Sequence, residues 1–190
     1  MPETLFSLAE QIRRCTACSL WKKRTLAVPG AGPKDAQLLF IGEAPGVEED
    51  RQGLPFVGRS GKFLTEMLTN IGLDRKTVFI TGSVKCHPPE NRVPKTKELA
   101  TCKELWLDKQ VSVLKPMLIV LLGSVAIQSS LGEKKDLAKV HGSIVEKNGL
   151  RYFLTYHPSA AMRFPAVRKL MEDDFKKLKR MILNSLDGDV

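Results

Sequence analysis

The chain has 190 residues, of which 43% are hydrophobic and 27% charged, a composition typical of a folded globular protein and not of a disordered one. Its longest apolar run, residues 117–122, is far too short to cross a bilayer. Thirty Lys and Arg residues against 21 Asp and Glu residues give a formal net charge of +9. This charge favours a polyanionic partner, nucleic acid first and an anionic membrane surface second.

The length of the chain suits one well-packed domain and is short for two. Its first residues show neither the basic segment nor the long apolar core of an export signal. We therefore expect a single domain over residues 1–190 and a cytoplasmic location.

Helical and strand patterns alternate along the chain. Apolar periodicity predicts a short helix at residues 5–14 and a last amphipathic helix through residues 167–182. Between them, strands are predicted at residues 37–41, 78–81 and 117–122 and as a β pair at 139–145 and 152–156, with helices at 60–71, 97–114 and 124–131. This alternation predicts a three-layer α/β/α fold with a central, mostly parallel, four-stranded sheet.

The four cysteines form one close pair, Cys15 and Cys18, and two distant positions, Cys86 and Cys102. Without an export signal, a metal or an iron–sulfur cluster is a better explanation than disulfides, because ligands two residues apart can point into one site. The wide second spacing suits zinc less well, and zinc and scattered buried thiols both stay open.

Two short stretches follow predicted strands: Gly42-Glu43-Ala44-Pro45-Gly46 and Tyr156-His157-Pro158. In an open α/β sheet, ligands bind at the carboxyl ends of the strands, so Glu43 and His157 are expected to face one crevice. Together they offer an acid/base or charge-stabilising pair, and Phe56 offers a stacking surface. The alternatives are a solvated turn glutamate, a structural histidine and an ordinary core aromatic residue.

Four motifs occur together with this cysteine spacing. They are Gly-Glu-Ala-Pro-Gly followed by an acidic run, Pro-Phe-Val-Gly, Val-Lys-Cys-His-Pro-Pro-Glu-Asn-Arg, and His-Pro-Ser-Ala-Ala-Met-Arg. In this combination the chain resembles a family 4 uracil-DNA glycosylase, the iron–sulfur type found in archaea and bacteria. The resemblance extends from Cys15 to the last helix, and it implies a DNA-repair enzyme that hydrolyses the N-glycosidic bond of uracil.

The resemblance also implies roles for particular residues. A structural [4Fe–4S] cluster would be bound by Cys15, Cys18, Cys86 and Cys102. The flipped uracil would be held by Gly42, Glu43 and Ala44, stacked on Phe56, read at the position of Gly82 and contacted by His157. The loop pressed into the minor groove would consist of Ala161, Met162 and Arg163.

The expected chemistry agrees with the residue types. An enzyme that acts on a base in DNA must first take that base out of the stack. Lys85, Arg92, Lys95 and Arg163 are expected to grip phosphates, and Met162 to fill the gap left by the base. His157 would donate to uracil O2, while Glu43 or Glu49 would stabilise the sugar cation or orient water; the sequence leaves that choice open.

One position departs from the family pattern. The family has an asparagine at the end of the second strand, where this chain has Gly82 in Ile80-Thr81-Gly82-Ser83-Val84. Two alternatives are open: backbone, water or Ser83 replaces the missing contact, or the specificity extends to another deaminated base such as hypoxanthine. A third alternative is a DNA-binding relative that has lost catalysis. We expect a monomer that binds DNA but no membrane, and the sequence leaves replication or repair partners open.

Overall fold

The structure is a computed structural model that describes residues 3–187, with side chains through residue 184. Its strands are β1 (Leu38–Gly42), β2 (Phe79–Gly82), β3 (Leu118–Leu122), β4 (Ile144–Lys147) and β5 (Leu150–Thr155). They form one sheet in the order β2-β1-β3-β5-β4. All neighbouring pairs are parallel except β4 with β5.

The prediction of a three-layer fold with a mostly parallel sheet is confirmed, but the sheet has five strands instead of four. The extra strand arises because the tight turn at Asn148 and Gly149, both with positive φ, returns β5 antiparallel to β4. Residues 139–143, predicted as part of this strand pair, instead belong to a short helix and a turn. The prediction of one domain over residues 1–190 stays a prediction, and residues 1–2 and 188–190 lie outside the described part of the chain.

Helices cover both faces of the sheet. They are α1 (Leu5–Arg14), α2 (Val47–Gln52), α3 (Arg59–Asn70), α4 (Thr96–Cys102), α5 (Asp108–Leu114), α6 (Ser124–Leu131), α7 (Leu137–Val140), α8 (Pro158–Arg163) and α9 (Pro165–Asp187). A π-helical turn, Lys103–Leu107, joins α4 to α5, so the helix predicted at residues 97–114 is confirmed as one bent unit. No helix among the described residues is both long and apolar enough to span a bilayer.

Alternate residues of each strand supply two separate cores, as expected for a sheet buried on both faces. On one face, Phe40, Val120 and Phe153 pack with residues of α3, α8 and α9. On the other face, Ile41 and Leu121 pack with residues of the π-helical turn, α5 and α6. The central strands β1 and β3 are fully buried, which fixes the loops at their carboxyl ends on a rigid base.

The strand order places a crevice between β1 and β3. The chain leaves β1 towards β2 on one side, whereas β3 connects to β5 on the other, so the loops after β1 and β3 diverge at this point. Gly123, directly after β3, has φ +89°, and a Cβ built on it would lie 2.9 Å from His157 Cβ. The lack of a side chain at Gly123 therefore lets the loop after β5 approach the crevice closely.

Candidate active site and thiol cluster

A cavity of about 270 Å³ opens at the carboxyl ends of β1, β2 and β5. Its lining contains most of the predicted site residues: Glu43, Ala44, Glu49, Phe56, Gly82, Arg92, His157 and Arg163. A larger cavity, of about 640 Å³, lies between α5 and the turn that precedes β5 and contains none of them. The smaller cavity thus brings most of the predicted site residues together at the strand ends, where ligands bind in open α/β sheets.

The Glu43 carboxylate is half-buried beside this cavity. No hydrogen bond or ion pair to it is formed by the described residues, and burial raises the pKa of its carboxyl above the usual value. A carboxylate without protein partners keeps all its acceptor positions for a ligand or a water molecule. Glu43 is therefore suited to the role of a general base or of a group that stabilises a developing cation.

His157 caps the amino end of α8 with its own ring. The backbone N–H of Ser159 donates to His157 Nδ1 at 3.2 Å, and the Ser159 hydroxyl lies 2.8 Å from the same nitrogen. Because Nδ1 accepts a hydrogen bond, a neutral ring carries its proton on Nε2. Burial lowers the pKa of His157 to about 4, an effect that the nearby Glu49 carboxylate only partly opposes. The ring is thus neutral near pH 7 and acts as an Nε2–H donor.

Phe56 stands over the end of β1 in a conformation that depends on two glycines. Its own φ is +51°, uncommon for an aromatic residue. A Cβ at Gly42 would lie 2.5 Å from Phe56 Cζ, and a Cβ at Gly61 would lie 1.9 Å from the Phe56 carbonyl oxygen. Gly42 therefore makes room for the ring and Gly61 for the Phe56 backbone, and the ring lies next to His157 in the cavity wall.

The Glu49 carboxylate holds the loop around the cavity together. Its Oε1 accepts from the backbone N–H groups of Val57 and Gly58 at 2.9 and 2.8 Å, and its Oε2 accepts from that of Gly46 at 3.1 Å. The side chain is only 8% exposed. Glu49 thereby joins the loop after β1 to the segment that carries Phe56, and of the two predicted carboxylates Glu43 is the one with free acceptors.

The end of β2 offers little side-chain chemistry at Gly82. The Ser83 hydroxyl and the Ser83 backbone N–H both donate to the Gly42 carbonyl, at 2.8 and 2.9 Å, and Ser83 is fully buried. Ser83 therefore has no donor left for a base. A Cβ at Gly82 would lie 2.8 Å from the Val84 carbonyl oxygen, so a larger residue there requires the backbone to move.

The four cysteines share one neighbourhood behind the cavity. Cys86 and Cys102 are buried with Cys18 packed against them, and Cys15 and Cys18 both act electrostatically on Cys86. Trp106 Nε1 donates to Cys15 Sγ at 3.2 Å and Arg24 Nη1 donates to Cys86 Sγ at 3.1 Å. Burial raises the pKa of the Cys102 thiol to about 12.

This donor set fits a thiolate-bound metal group, since N–H donors aimed at sulfur are the partners that metal-bound thiolates use. Among the described residues, no three His, Cys, Asp or Glu side chains converge on a position for a single metal ion.

Comparison with known proteins agrees with this arrangement. The sequence model of the Uracil DNA glycosylase superfamily matches residues 29–183. A Type-4 uracil-DNA glycosylase of Sulfurisphaera tokodaii is 42% identical over 190 residues, which cover 95% of this chain and 86% of that protein. One of Archaeoglobus fulgidus is 41% identical over 184 residues (93% and 92%), and a Type-5 enzyme of Pyrobaculum aerophilum is 32% identical over 171 residues (80% and 73%).

The chain belongs to the uracil-DNA glycosylase superfamily. The family resemblance predicted from its motifs is thereby confirmed.

The structure contradicts the predicted phosphate contact of one residue, Lys85. Lys85 is only 1% exposed, and its Nζ donates to Thr81 Oγ1 at 2.7 Å and to the Gly82 carbonyl at 2.8 Å. The prediction that Lys85 grips phosphates is wrong, because its ammonium lies inside the protein. Ala161, predicted as part of the DNA wedge, is likewise buried at 2% exposure and belongs to the core.

The other cations predicted to bind DNA divide into two kinds. Arg92 lines the cavity but forms a bidentate ion pair with the buried Glu98, at 2.9 and 2.8 Å, which lowers the pKa of Glu98 to about 2. Arg163 is exposed at the cavity mouth beside Met162, which is 39% exposed. Arg163 and Met162 are therefore placed where a bound nucleic acid can reach them, whereas Arg92 is already engaged within the protein.

Sequence reasoning missed Asn91, the side-chain amide of the cavity lining. It follows Glu90, and both residues have positive φ in the loop after Pro88-Pro89. Asn91 Oδ1 lies 2.9 Å from His87 Nε2. The two prolines and the tolerance of asparagine for positive φ indicate a tight turn in this loop. The neighbouring sequence does not indicate that the loop reaches the cavity.

Proposed function

We propose that this chain is a monofunctional uracil-DNA glycosylase that flips uracil out of DNA and hydrolyses its N-glycosidic bond. The observation that carries the proposal is the convergence of a partner-free Glu43, a neutral His157 and Phe56 on one cavity, at the strand ends of a superfamily fold. The curated relatives named uracil-DNA glycosylase support the same activity.

The proposed reaction separates charge across the cavity. As the bond between C1′ and N1 breaks, its electron pair goes to uracil, and the sugar gains oxocarbenium character. His157 Nε2–H donates to the developing charge on uracil O2, and a neutral imidazole suffices because it needs to donate a hydrogen bond and not a proton. Water adds to C1′, and its proton is taken up by Glu43 or the departing base.

In the proposed complex, different residues contact the flipped base, the gap it leaves in the duplex and the phosphates. The extrahelical base stacks on Phe56, an interaction worth about 1–3 kcal/mol per base in single-strand binding proteins. Gly42 and Ala44 let the backbone approach the base closely. Met162 occupies the vacated position in the duplex and Arg163 contacts phosphate, so the cost of unstacking is offset by new contacts.

We further propose that Cys15, Cys18, Cys86 and Cys102 bind a [4Fe–4S] cluster, with zinc as the alternative. When bound, such a group would join the segments before β1, after β2 and at α4 through four metal–thiolate bonds. The N–H groups of Trp106 and Arg24, which donate to the sulfur atoms of Cys15 and Cys86, support thiolate ligands. Iron and sulfide analysis, together with visible absorption, separates the cluster from zinc.

The base preference is open to a second candidate, another deaminated base such as hypoxanthine. Gly82 provides no side chain, and Ser83 is engaged with Gly42. Asn91 is the amide that lines the cavity, and we infer that it substitutes for the asparagine found at the end of β2 in related enzymes. An Asn91→Ala variant should then change the ratio of excision rates between uracil and hypoxanthine more than it changes stability.

The test uses matched oligonucleotides that carry uracil, hypoxanthine, a thymine mismatch or only normal bases, as single and double strands, followed by alkali. Excision of uracil alone is expected. Glu43→Gln should lower the rate, while Glu10→Gln, on exposed α1, should not. Cutting mainly at hypoxanthine would transfer the function to the second candidate. No cutting by folded, metal-containing protein would leave a DNA-binding relative without catalysis.

A further inference from the structure

The buried ammonium of Lys85 has no carboxylate partner. Its Nζ donates to Thr81 Oγ1 and to the Gly82 carbonyl, both uncharged, and the described residues form no ion pair with it. An isolated ammonium in a protein interior is strongly unfavourable unless an anion or a set of dipoles compensates it. Two dipoles are present, and a nearby anion would complete the compensation.

Among the residues that the structure describes, the potentially anionic groups that act on this ammonium are sulfur atoms. Cys102 and Cys86 both interact electrostatically with Lys85, and Cys86 is its direct neighbour in the chain. As thiols, these groups are neutral and leave the ammonium uncompensated. As metal-bound thiolates, four of them outweigh the positive charge of an iron–sulfur core, so the centre is anionic.

We propose that Lys85 is the internal counter-cation of the thiolate centre and a positioning residue that links this centre to the base cavity. The proposal rests on the metal–thiolate centre of the proposed function. It assigns a role to a buried lysine that the glycosylase reaction itself does not use.

The link to the cavity runs through one carbonyl. Lys85 Nζ donates to the Gly82 carbonyl at 2.8 Å, and Gly82 lines the cavity together with Glu43 and His157. Gly82 has no side chain that could hold its position. Its backbone is held instead by strand pairing with Gly42 and by the hydrogen bond from Lys85. A displaced ammonium would therefore loosen the part of the cavity wall that faces the edge of the base.

The test compares Lys85→Met, which removes charge and donors, with Lys85→Gln, which keeps donors but removes charge. Lys103→Met is the matched control, because Lys103 follows Cys102 in sequence yet directs its ammonium to Asp108 at 2.7 Å. The readouts are iron per purified chain, the rate of loss of visible absorption in chelator, and the midpoint potential of the centre.

Both Lys85 variants are expected to lose iron to chelator at least about tenfold faster than wild type, the lower end of the effect seen for outer ligand partners. The midpoint potential should shift to more negative values, since a nearby positive charge favours the added electron. Lys103→Met should behave as wild type. Lys85→Arg, which keeps the charge, should retain more iron than Lys85→Gln.

Three results would overturn the proposal. Wild-type behaviour of Lys85→Gln would reduce Lys85 to a hydrogen-bond donor, and better iron retention by Lys85→Gln than by Lys85→Arg would contradict the charge argument. Wild-type protein that contains neither iron nor zinc would remove the centre and the counter-cation role together. Uracil excision by wild type, measured in parallel, reports on the proposed activity independently of each of these outcomes.

Discussion

The ring of His157 lies beside the ring of Phe56, with centroids 5.8 Å apart and planes inclined at 36°. This pairing connects the two halves of the proposed site, the surface that stacks the base and the donor that stabilises it as it leaves. Because Gly42 has no side chain, both rings can lie close to the end of β1, which is a rigid, fully buried strand. Changes at either ring are therefore expected to affect catalysis more than folding.

Replacing Phe56 by alanine should remove the stacking surface. A loss of about 1–3 kcal/mol per stacked base corresponds to a fall in kcat/KM of about 5- to 150-fold, measured on a uracil-containing single strand. Phe6→Ala is the control, since Phe6 is 76% exposed on α1 and distant in sequence from every cavity residue. Equal kcat/KM values for the Phe56 variant and wild type would show that the ring is only a packing element.

The two carboxylates near the cavity should respond to substitution in opposite ways. Glu49→Ala deprives three backbone N–H groups of their acceptor, so we expect the free energy of unfolding to fall by at least about 2 kcal/mol. Denaturant unfolding measures this loss. A stable Glu49→Ala variant would mean that water replaces the carboxylate without cost.

Glu43→Gln should leave stability almost unchanged, because the Glu43 side chain has no hydrogen-bond partner among the described residues. Its effect is expected on kcat, which should fall by about 100-fold or more if Glu43 handles a proton or stabilises the sugar cation. Single-turnover excision with saturating enzyme separates this step from binding. A variant that excises uracil at the wild-type rate would transfer the role to another group, with Glu49 next.

The pKa of His157 gives a pH dependence of stability with a defined sign. Its pKa is about 4 in the folded protein, against an ordinary 6.5, because burial disfavours the charged ring. Between these values the unfolded chain binds the proton and the folded protein does not, so the contribution of His157 to stability is complete above pH 6.5 and is lost as the pH falls towards 4.

A His157→Gln variant lacks this titration. Its Tm should therefore decrease less than the wild-type Tm between pH 6.5 and pH 4, as followed by thermal unfolding at several pH values in that window. Comparing the two proteins at each pH cancels the contributions of other titrating groups, among them Asp174, whose burial raises the pKa of its carboxyl. Parallel Tm curves would contradict a lowered pKa for His157.

Arg163 and Arg92 should differ in their effects on DNA affinity. Arg163→Met should weaken binding to all sequences alike and reduce the slope of log K against log salt by about 1, as expected for the loss of one phosphate contact. Arg92→Met should instead lower stability, because it leaves the carboxylate of Glu98 buried without its charged partner. A salt slope that changes only for Arg92 would reverse these assignments.

The sequence was sufficient for the parts of the site that depend on strand ends. Glu43 and His157 each follow a buried strand, and parallel strands bring their carboxyl ends to one edge, so their meeting could be predicted. The burial of Lys85 could not be predicted, because the sequence places this lysine in a cation-rich loop, where lysines are usually exposed. Glu49 shows the same limit, because its acceptors are satisfied by Val57 and Gly58 from a loop whose path only the structure defines.

The π-helical turn between α4 and α5 sets the rotational phase of one long helix relative to two different neighbours. Before the turn, Cys102 packs with the other cysteines, whereas Leu107, the last residue of the turn, and Leu114, after it, pack against the sheet. Each residue of an α-helix advances the side chain by about 100°, so deleting one residue within Lys103–Leu107 would restore regular winding and turn one half away from its neighbour. A single-residue deletion in this turn would therefore keep the contact of the helix with either the cysteines or the sheet, but not with both.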